Sequence, residues 1–306
     1  MSRPMWFVSI LKKNFKNRFA IADLTKKVPF FRKFIDDLLF KEDNVIYLPK
    51  DHTVTPQTQT ETPVFTRIQI QQPVGVAPDG TPIHNDRIQV RELIAAPESI
   101  LLPSQVVEHF IRESKYHYIM NECICRSSNQ CEDYPINLGC LFLGKPVEQI
   151  NPKLGRPVTM EEALEHARRC REAGLFHMIG RNKLDTVWMG VKPGNRLLTI
   201  CNCCPCCCLY KVLPNLEDSI SAKVHKMPGV EVLVNENCIA CGQCAQEGVC
   251  FVNAIHIEDG RAVISDACRG CGHCVDVCPN GAIEVRVDSD YVQKTIEELT
   301  PYVNVK

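Results

Sequence analysis

Between Ile10 and Phe40, apolar residues recur every three or four positions with Lys and Arg between them, and Phe30, Phe31, Phe34, Ile35, Leu38 and Leu39 mark the stripe. That period predicts one or two amphipathic helices, broken at Pro29, whose ring removes a backbone donor. The helical spacing gives way over residues 51–63, DHTVTPQTQTETP, a polar run with Pro on either side of its Thr/Gln core that reads as a linker. Beyond it, FTRIQIQ and DRIQVRE alternate polar and apolar residues around the turn signal PDG (78–80), the pattern of paired strands. Helical spacing returns at Ser104, with Val106, Val107, Phe110 and Ile111 as the buried stripe. A second helix is expected from Thr159, where Thr159 and Glu162 fit a capping box and Gly174 supplies a stop. Cys170 shares a face with Ala163 and Ala167 and is expected in the core as a small apolar residue. TVWMGV (186–191), the turn KPGN and RLLTI (196–200) read as a hairpin whose second strand delivers the chain into Cys201.

Charge divides the chain further. Residues 1–50 carry 11 Lys and Arg against 5 Asp and Glu, residues 51–230 carry 19 against 19, and residues 231–306 carry 5 against 12. The predicted organisation is therefore a basic amphipathic helical arm (1–50), a cysteine-rich α+β domain (51–230) and an acidic C-terminal domain (231–306). The arm is expected to pack on its own protein, with a partner subunit as the alternative; a peripheral membrane contact is disfavoured because Asp36 and Asp37 interrupt the basic face. No stretch approaches the ~18 consecutive apolar residues of a transmembrane segment. MWFVSIL (5–11) runs into basic residues without a small-residue cleavage site, so a cytoplasmic chain is expected.

The 19 cysteines change the picture most. An odd total, repeated C-x-x-C spacings and no export signal argue for reduced thiolates and metal binding rather than a disulfide framework. An internal repeat stands out: NENCIACGQCAQEGVCFVNAIHI returns as SDACRGCGHCVDVCPNGAIEV, aligning Cys238, Cys241 and Cys244 with Cys268, Cys271 and Cys274, and Cys250 with Cys278. A C-x-x-C-x-x-C loop can offer three thiolates to three irons of a cubane, and a remote fourth cysteine completes it. On these motifs the segment resembles the bacterial-type ferredoxins with two [4Fe-4S] clusters. The resemblance implies a ferredoxin-like, pseudo-twofold βαβ fold for the C-terminal domain and crossed ligation. One cluster would take Cys238, Cys241, Cys244 and Cys278, the other Cys268, Cys271, Cys274 and Cys250. The first run departs from the usual pattern, with five residues before Cys250 and Phe251 in place of Pro.

A second set comprises Cys123, Cys125, Cys131 and Cys140 with Cys201, Cys203, Cys204, Cys206, Cys207 and Cys208, the last six within CNCCPCCC. Its spacing is not that of a zinc finger. In an extended strand Cys201 and Cys203 share one side and Cys204 and Cys206 take the other until Pro205 turns the chain, so the six thiols of the run cannot all meet one small ion. One or two additional iron–sulfur clusters are expected here; zinc, a reactive thiol site and a structural role stay open. The pattern is also similar to larger 4Fe-4S binding proteins of anaerobes, a likeness that assigns no reaction. His177 is a candidate for reaching a cluster, and Arg126 for offsetting thiolate charge.

Nucleotide, flavin and c-type haem signatures are absent, and a net charge of −1 offers nothing for nucleic acid. The expected function is an iron–sulfur electron-transfer subunit or dedicated donor of a multi-component cytoplasmic oxidoreductase. Its redox partner would dock on the acidic C-terminal domain. The alternative is a redox enzyme acting on a small substrate, a sulfur compound being one candidate, at the second cysteine set.

Overall fold

A computed structural model describes residues 2–56, 75–76, 82–83, 102–288, 290–302 and 304–305. Its architecture is α+β. A seven-stranded sheet runs in the order 224–226, 44–47, 176–181, 198–203, 141–143, 117–120 and 155–158. All its pairings are antiparallel except that of Asn44–Tyr47 with Val224–Lys226. Gly180 permits the close approach of the neighbouring strand, since a Cβ there would stand 2.0 Å from the Asn44 carbonyl oxygen.

Strand alternation divides the side chains between two faces. Ile46, Leu48, Leu141, Leu143, Ile179, Leu198 and Ile200 join one core with the helices Ser104–Glu113 and Met160–Glu172. The capping box at Thr159 is formed, with Glu162 N–H donating to Thr159 Oγ1 at 3.2 Å and Thr159 N–H to Glu162 Oε2 at 2.9 Å. Cys170 is fully buried on this helix. Val45, Tyr47, Phe176 and Met178 point the other way, into a core shared with Ala22, Ile35, Cys203 and Cys208.

Helices Met5–Lys13, Arg18–Lys27 and Pro29–Ile35 form in the basic segment, Pro29 opening the third at its first position. Residues 44–47 of the same segment are a strand of the large sheet. Residues 54–56 lie parallel to Ile283–Val287, which pairs antiparallel with Val230–Val234. Residues 58–100 form a separate unit, in which Gly75–Val76 pairs with Pro82–Ile83; both strands expected there, 65–71 and 86–92, lie outside the described residues.

The hairpin expected at 186–200 is not formed as such. Lys183–Met189 is a helix, and only its expected partner is a strand, Leu198–Cys203. Val187 and Trp188 favour strands, but Leu184 and Trp188 fall on one helical face against Met189 and Val191. Gly190, at φ +70°, ends the helix. Trp188 Nε1 donates to Asp185 Oδ1 at 2.8 Å, a bond between residues three apart that a strand could not make.

Asp43 is buried beside this helix and accepts a 2.7 Å bond from Lys183 N–H on Oδ1, while its Oδ2 has no partner among the described residues. Burial pushes its carboxyl up to about 7, with Asp185 adding to the rise. A folded pKa above the unfolded 3.8 means that its contribution is fully present at low pH and is lost as pH rises through about 7. Asp43→Asn is therefore expected to flatten the fall in melting temperature between about pH 4 and pH 7, read by anoxic thermal denaturation.

Candidate metal centres

The C-terminal repeat folds as two similar halves: strand Val230–Val234, a turn of helix at Gln243–Ala245 and strand Ile255–Glu258, then strand Arg261–Ile264, helix His273–Val277 and strand Ile283–Val287. Each C-x-x-C-x-x-C loop needs left-handed backbone at matched positions. Gly242 and Gly272 lie at φ +75° and +80°, and Ala240 adopts φ +55° where the second loop has Gly270 at +66°. Such backbone turns amides toward sulfur, and Gly270 N–H donates to Cys268 Sγ at 3.3 Å. Further amides follow the repeat: Ala254 to Cys250 at 3.2 Å and Ala282 to Cys278 at 3.3 Å, with Ala262 to Cys238 at 3.4 Å.

Two cavities result. One is lined by Cys238, Cys241, Cys244 and Cys278, the other by Cys250, Cys268, Cys271 and Cys274. Each collects three cysteines from one half of the repeat and one from the other. Their surroundings differ. Cys241 is exposed and Ile239 beside it is 70% exposed, so the first cavity opens outward. Around the second, burial pushes the Cys271 thiol up to about 12 and also raises Cys268 and Cys274. Phe251, next to Cys250, packs its ring 5.0 Å from Tyr47 and 5.5 Å from Phe176.

The second cysteine set separates into two groups. Cys131, Cys204, Cys206 and Cys207 place all four sulfurs within 4.8 Å of one another, a compact tetrad that could hold a metal. The other six follow one another in a row. Cys140 Sγ lies 3.5 Å from Cys201 Sγ and Cys203 Sγ 3.6 Å from Cys208 Sγ, Cys123 neighbours both Cys125 and Cys140, Cys201 neighbours Cys203, and Cys208 comes back toward Cys125. Tyr47 ends the row, with its hydroxyl 3.4 Å from Cys208 Sγ. Burial and neighbouring thiolates raise the Tyr47 pKa well above its ordinary value, so the phenol keeps its proton and donates.

Local structure explains the division. Leu141 pairs with Ile200, which sets Cys140 opposite Cys201 across two antiparallel strands. Cys203, two residues on, shares the face of Cys201, while the turn after Cys203 carries Cys204, Cys206 and Cys207 to Cys131. Bonds from Cys201 and Cys208 hold the Cys203 thiol down to about 5, and a bond from Cys206 holds Cys204 down to about 7.

Arg126 is completely buried between the two groups. Its Nε donates to Pro135 O at 2.9 Å, Nη1 to Asn202 O at 2.7 Å and Nη2 to Leu138 O. Burial alone would favour its neutral form; the charges of Cys123, Cys204 and Cys140 outweigh it and raise the pKa. His177 is held elsewhere. Its Nδ1 lies 2.9 Å from Asn202 Oδ1, no cysteine is among its hydrogen-bond partners, and burial lowers its pKa to about 3. Asn202, pointing away from Cys201 and Cys203, also donates to Gly139 O at 2.8 Å and so fixes the loop before Cys140.

Comparison with known proteins bears on the C-terminal segment. The 4Fe-4S binding domain family matches residues 262–284. The segment carries a 4Fe-4S ferredoxin domain. Relatives include the polyferredoxin protein MvhB of Methanothermobacter thermautotrophicus, 40% identical over 55 residues, 18% of this chain and 13% of that one. A component of the ion-translocating oxidoreductase complex of Methanosarcina acetivorans is 36% identical over 74 residues, 22% of this chain and 27% of its own. The pyruvate synthase subunit PorD of Thermotoga maritima is 37% identical over 65 residues, 21% of this chain and 64% of its own. The chain thus covers only a minor part of the polyferredoxins it matches. No solved structure matches it.

Around the ferredoxin domain the structure adds residues that the cysteine spacing does not announce. Lys50 Nζ reaches Asp276 Oδ2 at 2.6 Å, and Lys50 N–H donates to Cys271 O, tying the segment after strand Asn44–Tyr47 to the second cysteine loop. Tyr47, at Cys208, and Arg18, in the field of Cys125 and Cys208, come from the N-terminal segment, far from either cysteine set in sequence, and only their basic or aromatic type was visible. No helix among the described residues is long and apolar enough to cross a membrane.

Proposed function

We propose that this chain is an iron–sulfur electron-transfer protein, a subunit or dedicated donor of a multi-component oxidoreductase. The carrying observation is the pair of four-cysteine cavities, each completed from the other half of the repeat. Cys238, Cys241, Cys244 and Cys278 would hold one [4Fe-4S] cluster and Cys250, Cys268, Cys271 and Cys274 the second. Cubanes supply one-electron chemistry. The chain contributes the thiolates, the amides that donate to sulfur and a graded burial. The Cys241 side meets solvent, and the Cys271 side meets the interior.

At least one further cysteine-ligated cluster belongs to the set between Cys123 and Cys208. The tetrad Cys131, Cys204, Cys206 and Cys207 matches the four-thiolate requirement of a cubane or of a zinc ion. Relatives named as subunits of a pyruvate synthase and of an ion-translocating complex support a place in a multi-protein assembly. Two surfaces suit partners. The acidic ferredoxin domain exposes Ile239 beside its outer cavity, and the N-terminal helices leave Trp6, Ile10, Phe30 and Phe34 uncovered.

The test is iron and sulfide analysis with EPR on anaerobically purified chain. A reduced spectrum of two interacting cubanes and iron above about eight per chain is expected. Iron at about eight would remove the additional cluster, and no cubane signal would remove the function.

A further inference from the structure

We propose that the row Cys125, Cys123, Cys140, Cys201, Cys203 and Cys208 holds a single iron–sulfur centre larger than a cubane, separate from the tetrad. The inference rests on the iron–sulfur reading above and concerns the nuclearity of one site. Thiolate counting gives the first argument. A cubane or a tetrahedral metal ion uses four cysteines, and the tetrad shows what such a site looks like in this protein, with every sulfur within 4.8 Å of the others. The row offers two thiols more than that, in a different shape.

Shape is the second argument. The sulfurs pass from neighbour to neighbour rather than meeting at one point, Cys208 comes back to the neighbourhood of Cys125, and two of the steps, Cys140 to Cys201 and Cys203 to Cys208, are 3.5 and 3.6 Å. Unbonded sulfurs at this spacing can face metal atoms along their length. A thiolate sulfur can also bridge two metal atoms, so six of them can enclose a centre with more irons than the four of a cubane.

The row's surroundings fit such a charge. Cys170, on the helix Met160–Glu172, has one hydrogen-bond contact at its sulfur among the described residues, His166 Nε2 at 3.7 Å. The row has two cations beside it. Arg126 lies toward Cys123 and Cys140, and Arg18 toward Cys125 and Cys208, with a buried Nε that has no partner among the described residues. The Tyr47 hydroxyl donates at the Cys208 end. Two arginines and a phenol around six thiolates leave a net negative pocket, which iron cations neutralise.

Native mass spectrometry of the full chain, kept anoxic, reads iron and sulfide per chain and identifies any zinc. Wild type is compared with a Cys140→Ser/Cys201→Ser variant, cut at the middle of the row. The expected result is that the variant loses more than about four irons in one step while the EPR of the ferredoxin clusters is retained. Loss of about four irons or fewer overturns the proposal. Should the variant fail to fold, the wild-type total decides: more than about sixteen irons, or more than about twelve with one zinc, supports the larger centre, and smaller totals overturn it. Absence of the ferredoxin EPR signal would be the failure of the functional reading, and it is read independently of the iron lost from the row.

Discussion

Arg126→Met is expected to destabilise the protein by about 3–5 kcal/mol and to make the neighbouring cysteine sites harder to reduce. The side chain is wholly buried, and it satisfies the carbonyls of Pro135, Leu138 and Asn202 at once. Methionine fills much of the volume but donates nothing, so three buried acceptors lose their partner, each a loss of about 1–3 kcal/mol before relaxation. The charge matters separately. Cys123, Cys140 and Cys204 lie in its field, so the arginine is shared by the row and the tetrad. Removing a fixed cation beside a negative centre disfavours adding an electron, and the midpoint potentials should fall. Arg126→Lys separates the two effects. It keeps the charge but lacks the planar fork that reaches three carbonyls, so stability should fall while the potentials change less. Anoxic thermal denaturation and an EPR-monitored redox titration read the two quantities. Methionine tolerated at under about 1 kcal/mol would mean that the carbonyls find other donors.

How much of this arrangement was legible in sequence depends on the range of the interaction. Local patterns were legible. The stripe Val106, Val107, Phe110 and Ile111 and the Thr159–Glu162 box each depend on neighbours within one or two turns, and both helices form where the spacing puts them. The alternation that sets Cys201 with Cys203 and apart from Cys204 is likewise a property of the backbone. Lys183–Met189 shows the limit of local reading. Its β-favouring Val187 and Trp188 were outweighed by a helical apolar face and the stop at Gly190, which only packing decides. What joins the cysteine groups was not legible at all. Cys140 meets Cys201 because strands 141–143 and 198–203 are neighbours, and Cys131 meets Cys206 across 75 positions. Tyr47 and Arg18 reach the sulfurs from a segment whose periodicity spoke only of basic helices. Arg126 could be noted beside Cys125, but its complete burial comes from the loop 135–138 and from Asn202, which wrap it from elsewhere in the chain.

Phe251→Ala is expected to lower stability by about 3–5 kcal/mol and to make the iron held near Cys250 more accessible to chelators. Phe251 is 2% exposed and stands where ferredoxins usually carry Pro. Its ring contacts Tyr47 at 5.0 Å and Phe176 at 5.5 Å, and these two contact each other at 5.8 Å, so the substitution opens a gap among three aromatic rings. The gap has consequences on both sides. Toward the ferredoxin domain, Phe251 lines the same cavity as Cys250, Cys268, Cys271 and Cys274, and burial raises the last three thiols. Toward the second cysteine set, Tyr47 carries the hydroxyl at Cys208, and Phe176 pairs in register with Cys203. Water entering here would reach the inner cavity and the end of the row together. Phe251→Pro restores the usual ferredoxin residue without restoring the ring, and it should behave like alanine, because what the site needs is aromatic volume rather than a fixed φ. Phe251→Leu should recover about half of the loss by filling part of the gap. The readings are anoxic melting temperature and the rate of iron release to a chelator. If proline proved as stable as phenylalanine, the ring would be a passive occupant, and the link between Cys250 and the Tyr47 end of the row would have to run through the backbone instead.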